Sequence, residues 1–157
     1  MYIEILQEFS KHFHKSLRKH LCWRLGIQDI SSNDLNEIMT ILLNESEKNK
    51  IDYANMFYDF YGGRDSVVDC LKTSYGKKYK NNEFSKIVGI LKDTLPTKGV
   101  LEKKQQLDNN RQNLLIGEVE HIWREIDQYD NWELLYEKIK NIRKLGYLLG
   151  SEKLVYL

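Results

Sequence analysis

YANMFYDFYGGRDSVVDCLKTSYG, Tyr53 to Gly76, is the stretch on which the reading of the fold turns. Its apolar residues come in two bursts, Met56-Phe57-Phe60 and Val67-Val68-Leu71, divided by Gly62-Gly63 and the charged pair Arg64-Asp65. Two glycines in a row expose backbone amides and invite a phosphate-loop reading. The Gly-x4-Gly-Lys-Ser/Thr pattern and the preceding strand that such a cradle needs are both missing. The turn chemistry of a glycine pair favours a tight corner between two helices instead. Asp52 is placed to cap the helix before the corner, and Asp65 or Ser66 the helix after it, which runs to about Gly76.

Working outward, the flanking segments repeat the pattern of short amphipathic helices. Tyr2, Leu6, Phe9 and Phe13 make one stripe, and Leu17, Leu21 and Leu25 a second, stopped at Gly26. Next comes SSNDLNEIMTILL, with a hydroxyl cap at Ser31 or Ser32, early acid at Asp34, and Leu35, Ile38, Met39 and Leu42 on one face. NNEFSKIVGILK begins at Asn82 and carries Phe84, Ile87, Val88 and Leu91. Six short helices in residues 1–93 are individually marginal and must gather into a bundle. The chain's single proline, Pro96, lies with Gly99 in DTLPTKG and predicts a break at 94–99.

Residues 100–157 have another rhythm. Leu115, Val119, Ile122, Ile126 and Tyr129 step by four and three, and Leu135, Ile139, Ile142, Gly146 and Leu149 repeat the steps. Asp130 and Glu133 between them have capping-box spacing. A long helix and a second one, folded as an antiparallel hairpin, are predicted, with the polar stretch 102–113 as an exposed helical lead-in or a linker. The hairpin stripe has two readings, internal packing or pairing with another copy. Strand alternation is absent apart from weak pairing potential in LVYL at 154–157, so the expected fold is all-α, a six-helix bundle followed by a hairpin.

Composition bounds the rest. The 157 residues suffice for one good core; 41% are hydrophobic and 30% charged, and the net charge is +1. No global field therefore draws the chain to nucleic acid or an anionic membrane. Cys22 and Cys70 lack metal-ligand spacing and read as free thiols of a reducing compartment. No run of about 18 apolar residues is present, and MYIEILQEF lacks the form of a secretory signal, so a cytoplasmic protein is expected. His12, His14, His20 and His121 form no zinc-type spacing. Arg18 and Arg24 are followed at the fifth place by Trp23 and Asp29, not by the histidine of a small helical nuclease. No catalytic residue, metal or cofactor is expected.

Charge is unevenly spread. Lys11 to Arg24 holds five cations and three histidines without an acid. Lys15, Arg18, Lys19 and Arg24 then form a candidate basic interaction face, or an ordinary solvated helix face. Asp59, Arg64, Asp65 and Asp69 form a second candidate face around the glycine corner. The seven residues Leu115, Val119, Ile122, Ile126, Leu135, Ile139 and Ile142 form the candidate oligomer stripe.

Residues 1–93 resemble the death-fold superfamily, through LRKHLCWRLGIQDISSNDLNEI as a second and third helix and through the opening stretch as a later pair. GRDSVVDCL resembles death-effector and bacterial effector-associated domains, and IDYANMFYDFYG resembles pyrin domains. The Arg-x-Asp-Leu motif of death-effector domains is not reproduced, since Arg64 and Asp65 are adjacent. The resemblance implies a non-enzymatic adaptor of intracellular signalling or defence that recruits another protein, a like-folded domain among the candidates, through homotypic contact of charged helical faces, with a homo-oligomer open. The alternatives are a small nucleic-acid-binding protein using the basic helix 11–24, or an inhibitor or immunity-type protein that binds a partner enzyme.

Overall fold

In the computed structural model the chain is all-α, and the structure describes residues 2–49, 52–80 and 83–150. The described residues form eight α-helices: α1 (Tyr2–Leu25), α2 (Ser32–Asn49), α3 (Tyr53–Asp59), α4 (Arg64–Cys70), α5 (Phe84–Lys92), α6 (Val100–Asp108), α7 (Ile116–Tyr129) and α8 (Glu133–Leu148). A 3₁₀ turn covers Tyr75–Tyr79. The only β pairing among the described residues is an isolated bridge between Ile27 and Pro96. No described helix is long and apolar enough to cross a membrane. The Asn82 cap, the side chain of Tyr2 and the LVYL pairing at 154–157 lie outside the described residues.

Two compact units make up the chain, Met1–Lys104 and Gln105–Leu157. The core of the first gathers Leu21, Cys22 and Leu25 of α1, Leu35, Ile38, Ile41 and Leu42 of α2, and Met56 and Phe60 around α3. Val67 and Cys70 of α4, Tyr79, and Phe84, Ile87, Val88 and Leu91 of α5 join it, with Ile27 and Ile30 from the link between α1 and α2. Within α4 the sequence pairs Val67 with Val68, but only Val67 is buried, with Cys70 one turn on; Val68 faces solvent.

The two stripes at 2–25 belong to one helix, not two. Nothing between Phe13 and Leu17 breaks a helix, and the four-residue step continues from one stripe into the next. Leu17 meets the core at its edge and Leu21 is buried, whereas Leu6, Phe9 and Phe13 are exposed. Ser31, not Ser32, caps α2: its Oγ accepts from the Asp34 N–H at 3.1 Å, while the Ser31 N–H donates back to Asp34 Oδ2 at 3.3 Å. Asp52 caps α3 as expected, its Oδ1 accepting from the Ala54 N–H at 2.8 Å. α4 starts earlier than Asp65 or Ser66 would place it, at Arg64, because Gly63 turns the chain with φ 64° and ψ −127°. Asp65 then lies in the first turn and Ser66 Oγ donates to the Tyr61 carbonyl.

The corner is packed from three sides. The Gly62 N–H donates to Leu25 O at 2.7 Å, and Thr97 N–H to Gly26 O at 2.9 Å. Gln28 N–H donates to Leu95 O at 2.9 Å, so the Pro96 segment lies inside the first unit, against the α1–α2 link. A Cβ on Gly63 would stand 2.4 Å from Thr94 Oγ1 and 2.7 Å from Ile27 Cγ2, and one on Gly26 would stand 2.9 Å from Val100 Cγ1.

In the second unit, α7 and α8 form an antiparallel pair joined by Asp130-Asn131-Trp132. Residues 100–129 hold two helices, α6 and α7, where the sequence suggested one. The Asp130–Glu133 capping box does not form. Asp130 takes the left-handed conformation at φ 50° and closes α7, with the Asn131 N–H donating back to Glu125 O at 3.1 Å. Asn131 takes over the start of α8, its Oδ1 accepting from the Glu133 N–H at 3.1 Å.

Candidate functional site

The basic face is only partly a face. Lys15 and Lys19 are exposed on α1. Arg18 is half-buried and its guanidinium pairs with Asp29 at 2.8 Å. Arg24 turns away from solvent, its guanidinium 4.7 Å from the centre of the Tyr58 ring and 5.6 Å from that of Phe57. The second face divides too. Asp59 is 2% exposed and its Oδ2 accepts from the Tyr79 hydroxyl at 2.7 Å. Arg64 and Asp65 are exposed neighbours 3.8 Å apart, and Asp69 pairs with Lys72 at 2.7 Å. These eight residues do not converge on one surface.

Convergence occurs in the second unit, in an open cleft of about 490 Å³. Its walls combine the apolar Leu115, Ile122 and Leu134 with the amides of Gln112, Asn113 and Asn141. Arg111, Glu118, His121, Glu137 and Lys138 add charge and imidazole. Lys138 organises this end. Only 9% exposed, its ammonium donates to Glu118 Oε1 at 2.8 Å, Glu118 Oε2 at 2.7 Å and Asn113 O at 2.7 Å. An ammonium has three N–H groups, and these contacts use all three. Lys138 therefore ties α8 to α7 and to the segment before it rather than reaching for a ligand. Arg111 is held in turn by Asp108 at 2.6 Å.

The lining is thus charge-balanced and rich in amides over an apolar floor. Such a surface suits a flat, hydrogen-bonding ligand better than a bare polyanion. Among the described residues no group of three or more His, Cys, Asp or Glu could hold a metal ion.

The Lys138–Glu118 pair was not singled out from the sequence. The signal was present: Lys138 lies four residues from both Leu134 and Ile142, and Glu118 four from Ile122, so each charge interrupts an apolar stripe. Of that predicted stripe, Ile122, Ile126, Leu135 and Ile139 are half-buried, while Leu115, Val119 and Ile142 are exposed.

A family profile, protein adenylyltransferase SelO, matches residues 3–143. The protein nucleotidyltransferase YdiU of Trichormus variabilis (strain ATCC 29413 / PCC 7937) is 18% identical over 164 residues, covering 90% of this chain and 32% of that protein. The chain therefore spans about a third of that relative's length. No solved structure matches. These matches overturn the death-fold resemblance and the non-enzymatic adaptor of signalling or defence that it implied, since the family is one of enzymes. The nucleic-acid-binding and inhibitor alternatives give way for the same reason. What misled was local: short helix pairs with glycine corners recur in unrelated bundles, whereas the profile spans nearly the whole chain.

Proposed function

Because this chain belongs to the protein adenylyltransferase SelO family, we propose that it takes part in transferring AMP from ATP to a protein side chain, and that the α7–α8 cleft receives the nucleoside. In that reaction an acceptor oxygen forms a bond to the α-phosphorus. The bond from that phosphorus to the bridging oxygen breaks, pyrophosphate leaves, and the acceptor's proton passes to solvent or a nearby base. The observation that carries the reading is the family match over residues 3–143.

The cleft is what the described residues offer such a reaction. Leu115, Ile122 and Leu134 present an apolar floor for a purine, and the Gln112 and Asn141 amides can donate to and accept from its edge or the ribose. Lys138, with its three donors occupied, holds the walls at fixed spacing, so that the floor is preorganised.

The test is transfer from ATP labelled at the α-phosphate, run beside ATP labelled at the γ-phosphate, using purified chain and a mixture of acceptor proteins. Retention of α label and not γ label on denatured protein, reduced by Asn141→Ala, is the expected result. Label from the γ position alone, or from neither, contradicts the proposal.

A further inference from the structure

The charges of the α7–α8 cleft do not all find partners. Lys138 gives its three N–H groups to Glu118 and Asn113, and Arg111 is held by Asp108. Each of these cations therefore has a carboxylate of its own, and neither is left for a phosphate. Glu137 is the acid that remains. It lines the cleft from α8, it is exposed, and among the described residues no ion pair engages it. A ligand entering the cleft thus meets two neutralised pairs and one carboxylate.

Position adds to charge. Leu134, Glu137 and Asn141 follow one another on α8 at steps of three and four, so they share one face. At 1.5 Å per residue, Glu137 stands about 4.5 Å along the helix from apolar Leu134 and about 6 Å from the Asn141 amide. On α7, Ile122 of the floor is followed back along the chain by His121, also in the lining. An apolar floor less than one helical turn from a carboxylate matches the step from a flat base to the sugar joined to it.

We infer that Glu137 reads the ribose: its two oxygens accept from the adjacent 2′- and 3′-hydroxyls, the base lies over Ile122 and Leu134, and the phosphates are turned out of the cleft. This rests on the nucleoside reading above and narrows it to ribonucleosides. A carboxylate suits two neighbouring hydroxyls because it carries two acceptor oxygens and no donor. The same charge repels a triphosphate, and both cations that could offset the repulsion are engaged. The arrangement also meets a need of the reaction. A protein acceptor is too large for a cleft of about 490 Å³, so the α-phosphorus has to stand at its mouth to be reached.

Calorimetric titration of the full chain with adenosine, 2′-deoxyadenosine and ATP tests this. Adenosine should bind at least as tightly as ATP. The 2′-deoxy compound should bind about 3- to 10-fold more weakly than adenosine, for the loss of a hydrogen bond to an exposed charged acceptor. Raising the salt should tighten ATP and leave adenosine unchanged, the reverse of a site built for phosphate. Glu137→Ala keeps a strong helix former on α8 and removes both acceptor and charge. In that variant the two nucleosides should bind within about 2-fold of each other, and the affinity for ATP relative to adenosine should rise several-fold. ATP bound about 10-fold more tightly than adenosine by the parent chain overturns the inference and leaves the nucleoside reading in place. So does a Glu137→Ala variant that keeps the ribose preference or weakens all three ligands equally, as a merely structural role would. Binding of neither adenosine nor ATP overturns both.

Discussion

Replacing Gly63 by alanine tests whether the glycine corner is a packed joint. At φ 64° and ψ −127° the backbone is in a region open in practice to glycine, and forcing an L-residue there costs about 1–3 kcal/mol. Space adds to this. The new methyl would sit 2.4 Å from Thr94 Oγ1 and 2.7 Å from Ile27 Cγ2. Thr94 is buried and its hydroxyl donates to Leu91 O at 2.7 Å, so it cannot swing aside without giving up that bond. Overpacking of this kind costs about a further 1–3 kcal/mol. A total of about 2–6 kcal/mol, acting on a unit of roughly 100 residues, lowers its melting temperature by on the order of 10–30 °C. Thermal melts followed at 222 nm give the number. Gly63→Ala/Thr94→Ala should recover part of the loss. A single variant melting within about 2 °C of the parent would refute the packing argument.

Four further outcomes follow from named contacts. Gly89 sits inside α5 with nothing within 4 Å of a new Cβ, so Gly89→Ala should stabilise by about 0.5–1 kcal/mol, raising the urea midpoint. Tyr79→Phe removes the donor to buried Asp59 and should cost about 1–3 kcal/mol by urea unfolding, with the ring packing on Phe60 kept. Lys138→Met breaks the tie between α8 and α7; with Glu118 partly solvated, about 1–2 kcal/mol is expected, seen as faster amide exchange in α7 and α8. Burial pushes the Cys22 thiol and the Tyr61 phenol above their ordinary values. Their neutral forms thus favour the fold at and below neutral pH, and stability should fall as pH rises past the ordinary thiol value of 9.0, less steeply in Cys22→Ala.

Local periodicity made α5 readable: Phe84, Ile87, Val88 and Leu91 are all in the core, as their spacing requires. Gly26 and Asp52 ended and began helices for reasons that lie within a few residues of each. What could not be read depends on distant partners. Nothing near Arg24 announces that Phe57 and Tyr58 will take its guanidinium, and nothing near Asp59 announces Tyr79. Asp130 had two compatible roles, and closing α7 prevailed over starting α8 because Asn131 beside it could supply the cap. The cleft was hidden because its ordering ion pair joins residues 20 apart in sequence. Enzyme kinship left no compact catalytic motif to recognise; it is spread thinly over residues 3–143.

Nitrogen–proton correlation spectra of the labelled chain, recorded while ATP is added, test the central claim most directly. The account predicts saturable shifts centred on His121, Lys138 and Asn141, reproduced by adenosine alone and lost in Asn141→Ala. Spectra unchanged at millimolar ATP, or shifts confined to the first unit, would contradict it.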